Sequence, residues 1–254
     1  MKVYFIGAGP GDPGLLTIKA KNIIGRADIV IFAGSLVNQG VLRFAAKSAR
    51  AYDSSKMTLE EVLTIMEKAK ESEKTIARIH SGDPSIYGAI QEQIAWCDKE
   101  AVPYEVIPGV SSFCAGAASL KQELTLPGIA QTVIITRFSG RTKVPEKESL
   151  KALSRIKATL IIFLSIDKIS EAAKQLRYGY DSKTPAAVVF RASWPDEKII
   201  KGTLADIADK VKREKINRQA LIFVGDVLKK KGFKMSRLYA KGFAHSYRKK
   251  RKWV

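Results

Sequence analysis

The stretch Val3–Thr17, VYFIGAGPGDPGLLT, decides how the chain is read. Val3–Ile6 is a short apolar β run that passes directly into a loop with four glycines and two prolines. Such a loop lets backbone approach a ligand closely, and Gly9-x-Gly11-x-x-Gly14 has the spacing of a dinucleotide fingerprint. Pro10 and Pro13, however, remove two N–H donors from the turn that would cradle a pyrophosphate. The acid that a dinucleotide site needs near the end of its second strand is also missing. Asp28 begins that strand, which ends in Ala33-Gly34-Ser35. No GKS or GKT follows, which excludes a phosphate-binding P-loop. The loop suits a ligand that carries no phosphate.

Outward from this loop, strands and helices alternate. Strands are expected at Asp28–Ala33, Thr75–His80 and Tyr104–Ile107, and helices at Leu15–Gly25, Leu59–Ser72 and Ile86–Lys99. Leu59, Val62, Leu63 and Met66 have the i, i+3, i+4, i+7 spacing of a helix with one apolar face. The order predicts a mostly parallel sheet with crossover helices. The pattern shifts at Gln122–Gly128 and restarts with strands at Thr132–Thr136, Thr159–Leu164, Ala186–Phe190 and Leu221–Val224. Helices are expected at Glu171–Arg177 and Thr203–Lys215, the second N-capped by Thr203 with Asp206 three residues on. The reading is two α/β domains, 1–120 and 129–254.

The 254 residues are 46% hydrophobic, enough for a substantial core. Cys97 and Cys114 lie in apolar surroundings without metal-ligand spacing and read as buried thiols in a reducing compartment. No signal peptide and no apolar run long enough to span a bilayer is visible, so a soluble cytoplasmic protein is expected. The net charge is +19, and eleven Lys and Arg between Lys229 and Lys252, with no acid among them, leave +8 for the rest. The expected partner is acidic: nucleic acid, an anionic membrane, or a polycarboxylate or phosphate ligand.

Two further loops resemble the first in composition and position, SGDPSIYG (81–88) and PGVSS (108–112). Each follows a strand, and ligands of open α/β sheets bind outside the carboxyl ends of parallel strands, so the three are expected to form one site. VYFIGAGPGDPGLLTIKA with ADIVIFAGSLV resembles the opening signature of the tetrapyrrole methylases. SGDPSIYG and VIPGVSSFCAGAA are similar to that family's second and third motifs. Within it, LTLPGIAQTVIITRFSGRTKVPE and the ending SRLYAKGFAHSYRK resemble the enzymes that methylate C11 of cobalt-precorrin-4 or precorrin-4 in cobalamin biosynthesis. Lys143 stands where that branch is expected to have proline.

The resemblance implies two α/β domains with the active site in the cleft between them, a homodimer, and S-adenosylmethionine as methyl donor. By motif position it implies donor contacts at Pro10, Ser81, Gly82, Asp83, Ile86, Ser111, Ser112, Leu164 and Ala192. Asp83 either N-caps the helix expected from Ile86 or faces the donor's cationic end. Methyl transfer from a sulfonium is a direct displacement, so proximity and alignment can supply much of the catalysis. No nucleophilic residue or metal is required, and no catalytic residue is assigned. His80 reads as a packed or capping residue, with a general base as the alternative. A tetrapyrrole with many carboxylates calls for arginine. Arg137 and Arg141 in TRFSGRT, and Arg191 in FRAS, are the candidates.

Another tetrapyrrole, such as uroporphyrinogen III, is the alternative substrate. Ribosomal RNA is a further alternative, disfavoured because no strand carries an RNA-stacking motif. The tail's Phe233, Tyr239, Phe243, Tyr247 and Trp253 read as packing residues, and Arg248–Lys252 as a solvated end.

Overall fold

Alternation along Val3–Gly7 (β1) sends Val3 and Phe5 to one face and Tyr4 and Ile6 to the other, and both sets are buried. A strand apolar on both faces belongs inside a parallel sheet covered by helices on each side. The computed structural model, which describes residues 1–140, 142–229, 231–240 and 242–248, contains such a sheet. Ile29–Phe32 (β2), Arg50–Asp53 (β3), Ile76–His80 (β4) and Tyr104–Ile107 (β5) join β1 in the order β3-β2-β4-β1-β5, every pair parallel. On one face, Ile18–Ile24 (α1), capped by Thr17 Oγ1, packs Ala20, Ile23 and Ile24 against Tyr4, Ile6, Val30 and Phe32. On the other, Leu59–Glu71 (α2) and Gln91–Lys99 (α3) bring Val62, Met66, Trp96 and Cys97 onto Val3, Phe5, Ile29 and Ile31. A reciprocal box starts α2, Thr58 N donating to Glu61 Oε2 and Glu61 N to Thr58 Oγ1. Ser112–Leu120 (α4) follows β5.

The strand order positions the site. β4 fills the place beside β1 that β2 leaves open, and β5 takes the other side of β1. The strands that precede the three glycine- and proline-rich loops are therefore neighbours.

Val189–Ile199 and Gln219–Leu221 cluster with Met1–Leu120 as one compact unit. A second sheet, whose strands fall mostly in the other unit (Lys121–Val188, Ile200–Arg218 and Ile222–Val254), is built from Val133–Arg137 (β6), Thr159–Phe163 (β7), Pro185–Phe190 (β8), Lys198–Thr203 (β9) and Ala220–Val224 (β10), ordered β6-β7-β10-β8-β9. The helices of that unit are Leu150–Ser154 (α5), Ile169–Leu176 (α6) and Ile207–Arg213 (α7). This sheet is mixed rather than mostly parallel, for β6 and β7 are parallel but β7 and β10 antiparallel.

Several expectations are corrected. The helix expected from Ile86 begins only at Gln91, because Tyr87 (φ 54°) and Ala89 (φ 48°) hold left-handed backbone that no α-helix contains. Thr203 does not cap α7. Asp206 Oδ1 instead accepts from Thr203 N at 2.7 Å in a turn, and the helix starts at Ile207. Cys97 is buried but Cys114, in the first turn of α4, is exposed. Phe233, Phe243 and Tyr247 are exposed rather than packed. Arg248 is not simply solvated: its Nη2 donates to the carbonyls of Leu238, Ala240 and Phe243. Residues 249–254 lie outside the described residues. Among the described residues no helix is long and apolar enough to cross a membrane.

Candidate active site

The loops after β1, β4 and β5 meet backbone to backbone. Gly9 N donates to Gly82 O at 3.2 Å and Gly82 N to Gly9 O at 2.8 Å, while Ala8 N donates to His80 O at 2.8 Å. The third loop closes on the second through Gly109 N, which donates to Asp83 Oδ2 at 2.9 Å. The approach leaves no room for side chains: a Cβ on Gly109 would stand 2.2 Å from the Gly82 carbonyl oxygen, and one on Gly7 would stand 2.6 Å from Gly109 Cα. The donors of the first loop are also committed. Gly9, Asp12 and Gly14 N–H are each bonded, and Pro10 and Pro13 have none. Among the described residues only the Gly11 N–H is left, too few to wrap a pyrophosphate. The first loop is therefore poorly equipped to hold a phosphate.

Asp83 caps no helix. Its Oδ1 accepts from Ser85 N at 2.8 Å and from the Ser85 hydroxyl, and its Oδ2 holds Gly109. Burial, the largest single influence, pushes its carboxyl up, but the Ser85 and Gly109 bonds together outweigh it and hold the group below the usual carboxylate range. Asp83 is therefore an ionised tie between two loops. Ile86 is half-buried in the turn that Asp83 starts, its N–H on the Asp83 carbonyl at 3.2 Å. Half-buried Ser81 and buried Gly82 begin the same loop. Ser111 is buried, and its carbonyl accepts from Cys114 and Ala115 N–H where α4 begins at Ser112.

His80 is buried at the end of β4, with no partner for Nε2 among the described residues and the imidazole bonded to the Gly88 carbonyl. Burial, reinforced by the charge of Arg78 and opposed by the Gly88 carbonyl, lowers its pKa to about 3. It is a neutral anchor for the second loop.

In the segment after β8, RASWPDE, motif position names Ala192 and the charge argument names Arg191, but Ser193 and Trp194 were missed. Trp194 Nε1 donates to Pro10 O at 3.0 Å, and Asp12 N donates to Ser193 Oγ at 3.0 Å. Buried Ala192 lies between Arg191 (φ 48°) and Ser193 (φ 66°), two side-chain-bearing residues in left-handed backbone. Strain of this kind concentrates at functional sites. The Arg191 guanidinium stacks 4.0 Å from the Trp194 ring centroid and pairs with Asp196, so part of its binding capacity is already committed. The available sequence signal was the Trp-Pro pair beside FRAS, but nothing in its spacing names Pro10 as its partner.

In the second unit, Leu164 follows β7 with φ 51° and is 66% exposed. An exposed leucine in left-handed backbone has no packing reason to be there. Ser165 beside it is buried, accepting from Phe138 N at 2.7 Å and donating to Phe163 O at 2.5 Å. Arg137 spans its own loop, Nη1 on Thr142 O at 2.9 Å and Nη2 on Lys143 O at 3.0 Å. Arg141 lies outside the described residues.

Comparison with known proteins places the chain in a family. Residues 2–208 match the family model of the Tetrapyrrole (Corrin/Porphyrin) Methylases. A cobalt-precorrin-4 C(11)-methyltransferase of Methanocaldococcus jannaschii is 54% identical over 252 residues, covering 99% of this chain and 97% of the relative. The X-ray structure of a cobalamin biosynthetic enzyme, cobalt precorrin-4 methyltransferase, superposes with a TM-score of 0.87 at 42% identity, covering 89% of this chain and 95% of the other. A uroporphyrin-III C-methyl transferase from Thermus thermophilus, complexed with S-adenosyl homocysteine, has a TM-score of 0.77 at 28% identity, covering 91% and 100%. With the family's model matched along most of its length, and full-length relatives inside that family, the chain belongs to the tetrapyrrole methylases.

Proposed function

We propose that the chain is an S-adenosylmethionine-dependent C-methyltransferase that methylates C11 of cobalt-precorrin-4, or of metal-free precorrin-4, in cobalamin biosynthesis. The observation that carries the substrate choice is the 54% identity along essentially the whole chain to a relative of that name, against 33% to a uroporphyrinogen-III C-methyltransferase. The first loop, with its prolines and its committed N–H groups, supports a donor without phosphate.

Pro10, Ser81, Gly82, Asp83, Ile86, Ser111, Ser112, Leu164 and Ala192 are proposed to line the donor's site. S-adenosylmethionine, when bound, supplies a methyl group already activated on a sulfonium. The residues have only to hold it in line with a ring carbon and keep water away, and such alignment is worth effective molarities up to about 10⁵–10⁸ M. Arg137, Arg141 and Arg191 are proposed to face the substrate's carboxylates, the first and third with guanidinium edges left over from their loop bonds. A homodimer in the cytoplasm completes the reading, and sedimentation at assay concentration tests the dimer.

The deciding experiment is incubation with cobalt-precorrin-4 and S-adenosylmethionine carrying a ¹³C methyl, read by mass spectrometry and NMR. One labelled methyl at C11 is the expected product. Label appearing only on uroporphyrinogen III would move the chain to the other branch. Failure to bind S-adenosylhomocysteine in calorimetry would overturn the methyltransferase reading altogether.

A further inference from the structure

The loop Gly9–Gly14 has little with which to hold its own shape. Two of its residues lack an N–H and three lack a side chain, and glycine's backbone freedom makes an unsupported loop of this kind a broad ensemble. Inside it, Asp12 Oδ1 accepts from Gly14 N at 2.7 Å and Asp12 O from Leu15 N at 2.9 Å. The remaining restraint comes from elsewhere in the chain. Gly9 is paired in both directions with Gly82, the Pro10 carbonyl takes Trp194 Nε1, the Gly11 carbonyl takes Asn38 Nδ2 at 2.9 Å, and Asp12 N–H is held by Ser193 Oγ. The indole also closes the side of Gly11, where a Cβ would stand 2.0 Å from Trp194 Cδ1.

The Trp194 segment is itself braced. Arg191 stacks on the indole and pairs with Asp196. Glu197 Oε2 accepts from Ser193 N at 2.7 Å and from Ser119 Oγ at 2.7 Å, tying the segment to α4. Arg191 N donates to Gln219 O at 2.8 Å, and Gln219 Nε2 reaches the Ser35 carbonyl at 2.6 Å. Two left-handed non-glycine residues persist only where surrounding bonds over-determine the backbone, and here they do.

We propose that Trp194 and Ser193 are positioning residues for the methyl donor: contributed from some 180 residues away, they set the Pro10–Asp12 backbone in its donor-binding form before the donor arrives. The inference rests on the donor site proposed above. Pre-set backbone removes ordering cost from binding, so it acts on donor affinity rather than on the transfer step.

Two measurements test it. The chain has three tryptophans, so the indole N–H region of a ¹⁵N spectrum holds few resonances, and Trp194→Phe assigns its own. In the wild type the Trp194 indole resonance should shift on addition of S-adenosylhomocysteine and saturate with the calorimetric binding curve. Trp194→Phe keeps a ring beside Gly11 but removes the donor to Pro10, so S-adenosylhomocysteine should bind about 5–10-fold more weakly. The KM for S-adenosylmethionine should rise by the same factor while kcat changes less than about 2-fold. Ser193→Ala should give the same split with a smaller factor. An unmoved indole resonance with unchanged affinity in both variants would overturn the inference, as would kcat losses that match the KM changes. Absence of binding by the wild type would instead overturn the donor site itself, which separates the two failures.

Discussion

In Gly109→Ala the added methyl would lie 2.2 Å from the Gly82 carbonyl oxygen and 2.8 Å from Gly7 Cα. Both neighbours are backbone of the adjoining loops, so no side chain can turn aside. Since comfortable contacts lie at about 3.5 Å, the loops must part by about 1 Å. That movement takes Gly109 N out of reach of Asp83 Oδ2, now 2.9 Å away. A hydrogen bond to an ionised acceptor is worth about 1.5–3 kcal/mol. Straining the paired Gly9–Gly82 bonds adds about 1 kcal/mol, for an expected destabilisation of about 3–4 kcal/mol. Urea unfolding followed by fluorescence measures it, and calorimetry should show S-adenosylhomocysteine affinity falling at least about tenfold, since about 1.4 kcal/mol suffices for that. Gly140→Ala is the control, with nothing among the described residues within 4 Å of its Cβ, and should stay within about 0.5 kcal/mol of the wild type. If Gly109→Ala unfolds within about 1 kcal/mol of the wild type and binds the ligand equally well, the three loops do not pack as described.

Two further outcomes follow from the same geometry. His80 has its folded pKa lowered to about 3 against an ordinary 6.5, so the unfolded state takes up its proton first as pH falls. The stabilising difference is complete above pH 6.5 and is lost toward pH 3; between pH 7.5 and 5.0 it costs about 2 kcal/mol. That slope should be absent in His80→Gln, and a wild-type His80 ¹H resonance titrating between pH 5 and 8 would refute the assignment. Leu164→Gly relieves left-handed strain and gives up little buried surface, so it should unfold at no lower urea concentration than the wild type while binding S-adenosylhomocysteine more weakly. A large loss of stability would show that Leu164 is a packing residue.

The elements legible in the sequence were those buried on both faces. Val3–Gly7, Ile29–Phe32 and Thr159–Phe163 read as nearly continuous apolar runs because each is covered by helices or neighbouring strands, and Ile76–His80 is buried along its whole length although it carries Arg78 and His80. Arg50–Asp53 and Lys198–Thr203 did not, since both are edge strands, largely exposed and carrying charge, and their composition looks like loop. Ile86–Ile90 looked helical because composition does not reveal the positive φ at Tyr87 and Ala89. For Asp83 and Arg137 the residue type pointed to a ligand, whereas the fold shows much of their capacity spent on tying loops. That distinction depends on partners 26 residues away for Asp83 and five or six for Arg137.

By itself the sequence determined that this is an α/β chain with three small-residue loops at strand ends. It also determined that the first loop cannot cradle phosphate, since prolines lack N–H groups in any fold. Motif order identified the family before any contact was known. Only the tertiary structure decided that β4, β1 and β5 are neighbours, which brings Gly7, Gly82 and Gly109 into backbone contact. It alone decided that Trp194 holds Pro10. Local composition encodes local backbone preference, but which strand lies beside which is settled by burying all the apolar faces at once, and the site is a product of that arrangement.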